Sequence, residues 1–490
     1  MDESAEGPTA QGEGRRSKSF STALKFRVHS AINGRSSTAP DPGTSTRLDA
    51  MRSRIWDLAG PALAENFFAT MTQMLNMIMV GRVGPIAVAA VGLTNQPFML
   101  GLALSFALNV GTTAIIARSI GAKDYATADE TAKQSFLVNA VLAVIFSVAG
   151  YFYAEPILLF MGAGPDVLPS GLIYFRIISL TFGFSSLSMG IAAMLRGAGD
   201  TRTPMRVNMI ANVCVVLVGY PLIYGFLGFG GLGVAGAAIA SGVARFVGMA
   251  LGLWALVRGN VPVHIRFATG CRPHWQLLAR VSRIGIPTAM EQFVMRTGQI
   301  LFVRVVASLG TEVFAAHQIA LNVLSLSFMP GMAFAVAATT LVGQNLGAGH
   351  RDEAVAVGWE VRRFGMWLAW TVSAVFIFLG PWIMRLYTTD PTVIAQGAIA
   401  LKIIGLIQPP QISQFILAGA LRGAGDTRWP LYATMVGMWG SRVVLSYLFV
   451  TIMGWGLVGA WASMALDQLA RSYVIAYRYR DSEKWVGLKV

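Results

Sequence analysis

Leu195–Pro204 reads LRGAGDTRTP, and Leu421–Pro430 reads LRGAGDTRWP, one difference in ten at an offset of 226 residues. The same offset carries Pro61 onto Pro287, Glu65 onto Glu291, Gln73 onto Gln299, Gly84 onto Gly310, Gly121-Ala122 onto Gly347-Ala348 and Arg176 onto Lys402. One register held over so long a stretch marks a duplicated unit, so the chain must fold as two like halves.

The material of each half is apolar. The chain of 490 residues is 54% hydrophobic and 13% charged, with mean hydropathy +0.58. Soluble domains carry roughly 25% charged residues. This composition excludes a soluble enzyme, a disordered chain and a disulfide-stapled domain. Gly is abundant at 53, as suits helices that approach closely in lipid. Cys214 and Cys271 are too few for a zinc site and make no convincing disulfide.

Apolar stretches of about 20 residues suffice to cross a bilayer. They are predicted over 57–80, 87–116, 135–160, 168–194, 207–227, 234–257, 284–307, 315–342, 364–384, 394–420, 431–452 and 457–477. The fold class expected is therefore an all-α polytopic membrane protein. About twelve transmembrane helices form two parallel six-helix repeats, two lobes around a central cavity. Six crossings per repeat bring both halves in from the same side, related by an axis along the membrane normal. The predicted organisation is a disordered basic tail over 1–50, lobes over 51–257 and 283–478, a linker over 258–282 and a short tail over 479–490. The linker is expected to lie as an amphipathic segment on the membrane surface.

The net charge of +14 is a topology signal. Counted over alternate loops, tails and the span ends beside them, 30 Lys and Arg fall on one side, against Arg82, Arg304 and Arg385 on the other. That asymmetry puts both termini in the cytoplasm of a plasma-membrane protein. No nucleic-acid partner is implied. The partners expected are the lipid bilayer, on which the basic tail can rest, and a small-molecule substrate, handled by a monomer.

In the LRGAGDT turn, Gly199 and Gly425 suit a left-handed helix end. Asp200 and Asp426 suit caps of the next helix, and Pro204 and Pro430 its first turn. Arg196 and Arg422 suit headgroup anchors. A tight turn explains the motif; a sharper reading is a gate of Arg–Asp pairs between the halves.

Val80–Gly84 (VGRVG), Ala315–Ala320 (AAHQIA), Val342–Gly349 (VGQNLGAG) and both LRGAGDT copies resemble, in this order, multidrug and toxic-compound extrusion (MATE) transporters, most nearly the DinF-like branch. The resemblance covers about residues 53–480. It implies a V-shaped pair of six-helix lobes and export driven by an inward H⁺ or Na⁺ gradient, with no other cofactor. The family's usual ion-coupling acids fall on Asn76 and Tyr220 in one half, and on Met295 and Gln411 in the other.

Carboxyl groups within spans are functional candidates because they are costly there. Glu65, Glu291 and Asp467 qualify. Both glutamates follow a Pro by one turn and lie about 12 Å into the membrane. For each, ion coupling competes with a structural pairing to a neighbouring Arg. Asp467 is expected to pair with Arg471 and Arg442. Arg296, five residues beyond Glu291, suits the cavity or an acid on another helix. Asn76, Asn212, Gln299, Gln318 and Gln411 are polar amides suited to orienting a substrate or to bonding helices together. An ATP-driven pump is disfavoured, since the Gly-rich phosphate loop is missing. An intramembrane protease lacks H-E-x-x-H and paired aspartates. The function expected is antiport of drugs, organic cations or metabolites. Organic-anion export, lipid-linked-glycan flipping and a membrane scaffold are the alternatives.

Overall fold

A computed structural model describes residues 42–226, 229–258, 261–265 and 273–488. Most of the expected tail and Cys271 lie outside them. Twelve long helices follow one another: α1 (Pro42–Gly81), α2 (Pro85–Gly121), α3 (Tyr125–Phe152), α4 in two limbs (Leu168–Leu180 and Phe182–Gly197), α5 (Arg202–Tyr224) and α6 (Val234–Arg258). The second half repeats them as α7 (Trp275–Ala307), α8 (Thr311–Gly347), α9 (Arg351–Arg385), α10 (Pro391–Gly423), α11 (Arg428–Ile452) and α12 (Gly456–Arg480). Short helices Ala154–Phe160 and Glu483–Val486 are added, and Gly225–Phe226 pairs with Phe229–Gly230 in a two-residue antiparallel ladder.

Eight of these helices are apolar enough to cross a membrane by length and composition alone, and the two limbs of α4 together make a ninth. The three that remain, α1, α7 and α12, each carry one of the buried acids: Glu65, Glu291 and Asp467.

Several boundaries differ from expectation. Helix α1 starts at Pro42, inside the expected tail, and α7 starts at Trp275, ahead of its apolar stretch. Polar turns extend both helices beyond any span-length window. The start of the linker is not an amphipathic helix. Val261, Val263 and Ile265 are buried while Pro262 is exposed, the alternation of an extended strand. These residues join the cluster of Ile116, Ala128 and Leu195. The His264 amide donates to Asp129 Oδ1 at 2.7 Å, pinning the segment to α3.

Helix α4 bends by 43° at Thr181, two residues before Gly183. The Thr181 hydroxyl donates back to the carbonyls of Ile177 and Ile178 at 3.1 and 3.2 Å, a competition that bends helices. In α11, wide π turns over Met435–Val443 and Leu448–Ile452 interrupt the α-helical ladder. Such turns often mark functional positions.

The halves meet where α2 packs against α7 and α8. Glycine makes the contact possible. A Cβ on Gly121 would sit 1.9 Å from the Gln344 carbonyl oxygen, and one on Gly347 would sit 1.9 Å from that of Arg118. Gly111 and Gly285 likewise lie against backbone of the opposite half. These approaches cluster toward the helix ends that carry the basic loops.

Candidate functional site

Each half ties its first helix to its fourth and fifth through a buried carboxylate. Glu65 in α1 is 8% exposed. It accepts from Arg196 Nη2 at the end of α4 and, at 2.7 Å, from Asn208 Nδ2 in α5. Glu291 in α7 is 3% exposed. Arg422 Nη2, at the end of α10, donates to both its oxygens at 2.8 Å, and Thr434 Oγ1 in α11 donates at 3.4 Å. All three positions obey the 226-residue offset: 65 and 291, 196 and 422, 208 and 434. The arrangement was duplicated with the fold. Each Glu stands one turn beyond a Pro, on the same face.

The turn motif folds as expected. Gly199 and Gly425 adopt φ of 91° and 85°. Asp200 Oδ1 accepts the amides of Arg202 and Thr203 at 3.0 Å each, capping α5. Asp426 departs from the pattern and accepts from Arg478 Nε at 2.8 Å. The structure does not form a gate of Arg–Asp pairs between halves. Arg196 and Arg422 turn back into their own halves, because a buried carboxylate without a cation would cost several kcal/mol. Backbone carbonyls of the turn region provide the crossing bonds instead: Thr340 Oγ1 donates to the Arg196 carbonyl at 2.9 Å and Gln344 Nε2 to that of Gly197 at 3.4 Å.

Asp467 holds two cations, as expected. Arg471 Nε donates to Oδ1 at 2.6 Å and Arg442 Nη2 lies 2.5 Å from Oδ2. A π stretch of α11 carries Arg442. Gly437 in the same stretch admits the pair, for a Cβ there would meet Asp467 Oδ1 at 2.2 Å.

A cavity of about 330 Å³ opens within the N-terminal half, lined by α1, α2, α4, α5 and α6. Among the expected substrate residues, Asn76 and Asn212 line it, together with Glu65 and Asn208. Arg296, Gln299, Gln318 and Gln411 belong to the other half and are not part of its wall. Arg296 and Gln318 are exposed, Gln299 is half-buried, and both amide atoms of buried Gln411 lack a partner among the described residues. Tyr220 is exposed, its ring edge-on to Tyr224.

Two residues escaped the sequence reading. Arg245 in α6 lines the cavity. Its signal was a basic residue left within a span after the loop charges were counted. His317 in α8 is fully buried among Phe302, Phe314 and Trp461, and neither ring nitrogen has a partner among the described residues. It stands in the AAHQIA stretch used above only as a likeness.

The two halves decide the family. The MatE pattern matches residues 61–221 and again 287–448, the two copies of the repeat. The chain belongs to the MatE family. This MatE chain is 33% identical over 448 residues to the probable multidrug resistance protein NorM of Thermotoga maritima, covering 89% of this chain and 93% of that one. It is 26% identical over 445 residues to the multidrug resistance protein PmpM of Pseudomonas aeruginosa, with the same coverages of 89% and 93%. In fold it matches a MOP superfamily transporter from Pyrococcus furiosus with TM-score 0.83, at 22% identity, over 90% of this chain and 97% of that one. The all-α architecture of two six-helix lobes expected from the repeat is thereby shown, as is membership of a family of transporters, which are not enzymes.

Proposed function

We propose that this MatE chain is a secondary active exporter of drugs, organic cations or metabolites, working by alternating access and driven by an inward H⁺ or Na⁺ gradient. The observation that carries this reading is the pair of equivalent triads, Glu65–Arg196–Asn208 and Glu291–Arg422–Thr434. Each links helices that must move relative to one another when a lobe rearranges. A cation bound at the glutamate competes with the arginine for the same oxygens. Binding loosens the link and release restores it, which couples ion passage to movement of the helices. Glu291 is the first candidate for this exchange and Glu65 the second. Asp467, shared by two arginines, is the third.

With the basic loops on the cytoplasmic side of the plasma membrane, the contact of α2 with α7 and α8 closes the cytoplasmic end. That is the outward-facing arrangement. Both termini are then cytoplasmic, and each monomer is a complete transport unit. The AAHQIA and VGQNLGAG stretches support assignment to the DinF-like branch. The test is efflux of ethidium from proteoliposomes under a pH gradient and, separately, a Na⁺ gradient. Movement against the dye gradient under one of them supports the reading. Passive leak alone under both contradicts it.

A further inference from the structure

We propose that Arg245 makes the cavity of the N-terminal half a binding site for a negatively charged group, a carboxylate or phosphate, carried by the transported molecule. This deepens the transport reading and rests on it.

Two charged side chains line the cavity, Glu65 and Arg245. Their situations are opposite. Glu65 is neutralised in place by Arg196 and holds Asn208 besides. Arg245 makes no ion pair and no hydrogen bond among the described residues, and it is exposed on the cavity wall. The cavity wall therefore carries one uncompensated positive charge.

Its position makes that charge expensive. Arg245 lies about 16 Å along α6 from Val234, near the middle of a hydrocarbon core about 30 Å thick. A cation at that depth is found where it faces a partner or a wet cavity that serves function. The other half shows the structural solution. Counted from the left-handed glycines that precede α6 and α12, Gly233 at φ 54° and Gly456 at φ 57°, Arg245 corresponds to the uncharged Gln468. The buried guanidinium groups of that half, Arg442 and Arg471, share the carboxylate of Asp467. Arg245 has been given no such acid. Asn76, Asn95 and Asn212, which also line the cavity, present amides.

Ligand chemistry follows. A guanidinium offers a planar fork of N–H donors that fits the two oxygens of a carboxylate or phosphate. Amide N–H groups around it bind further oxygens without adding charge. A volume of about 330 Å³ holds a compact headgroup or one end of a drug-sized molecule. A free organic anion and the phosphate of an anionic lipid share this chemistry.

Equilibrium binding to the purified full-length protein tests the proposal, with carboxyfluorescein as free anion, tail-labelled phosphatidylglycerol as lipid and ethidium as cation. The wild type should bind at least one anionic probe saturably. Arg245→Gln should weaken that binding at least tenfold, while Arg245→Lys, which keeps the charge, should retain most of it. A folded Arg245→Gln protein that lost ethidium binding to the same degree would show a general loss of the cavity and overturn the proposal. Preference for carboxyfluorescein identifies a soluble anion, and preference for phosphatidylglycerol a lipid headgroup. A thermal melt of each variant separates lost binding from lost folding. Failure of the wild type to bind either anion, or equal anion binding by wild type and a folded Arg245→Gln, overturns the proposal. Since binding is read without a gradient, intact anion binding with no transport of any probe would refute the exporter reading and leave the anion site standing.

Discussion

Glu291 receives both of its charge-assisted bonds from a single nitrogen of Arg422, each at 2.8 Å, across 131 residues of chain. Glu65 and Arg196 are joined across the same 131 residues. The equality follows from duplication, but the surroundings have diverged. Asn208 reinforces Glu65 at 2.7 Å, whereas Thr434 approaches Glu291 only to 3.4 Å. Glu65 opens onto a cavity, and Glu291 is not part of that cavity's wall. Two copies of one device thus sit in different settings, which is what a division of labour between the halves requires.

The closed end depends on glycine. A methyl group at position 347 would need space occupied by the Arg118 backbone, with its carbonyl oxygen 1.9 Å away. Gly347→Ala should therefore push the halves apart at this end. Spin labels at positions 123 and 350, one in each turn, should report longer distances than in the wild type. An unchanged distance distribution would show that the contact is incidental.

Asp467→Asn should destabilise the fold far more than it affects any single transport step. It leaves Arg442 and Arg471 buried together without their anion. Breaking a buried pair costs about 3–5 kcal/mol. A fall in the melting temperature of detergent-solubilised protein should accompany poor membrane insertion. A well-folded Asp467→Asn protein with wild-type stability would count against the structural role.

Lys123 occupies a left-handed conformation at φ 59°, and its equivalent in the second half is Gly349 at φ 78°. A non-glycine residue there costs about 1–2 kcal/mol, partly offset by the greater freedom of glycine in the unfolded chain. Lys123→Gly should raise stability by about 0.5–1 kcal/mol, read as a higher melting temperature with unchanged efflux. A lower melting temperature would mean that the lysine side chain contributes contacts worth more than the strain.

Much of the fold was legible because duplication and lipid both leave strong marks. The 226-residue register predicted the two halves, and Pro61–Glu65 with Pro287–Glu291 announced the carboxylate positions. The partners of those carboxylates were harder to read. Arg196 and Arg422 stand in a turn motif whose local chemistry is explained by Gly199 and Asp200, so nothing nearby directs them inward. The bend at Thr181 rests on one hydroxyl beside Gly183, and neither residue is a strong enough breaker to announce it within an apolar span. Val261, Val263 and Ile265 alternate over too short a run to outweigh the basic residues around them. Arg245 was hidden by bookkeeping of another kind, since positive charge in such a chain is read first as topology.

If a buried glutamate exchanges its arginine for the driving cation, neutralising it must uncouple the transporter, and Glu291→Gln does so without changing the side chain's size. The amide keeps the shape of the side chain and gives up its charge and its titration. Efflux of ethidium from proteoliposomes is to be measured for the wild type, Glu291→Gln and Glu65→Gln under imposed H⁺ and Na⁺ gradients, with equilibrium dye binding alongside. Glu291→Gln should lose gradient-driven efflux while largely keeping its binding of the dye. Gradient-driven efflux at the wild-type rate, with an unchanged dependence on pH and Na⁺ in both variants, would contradict it and leave the two glutamates as structural ties.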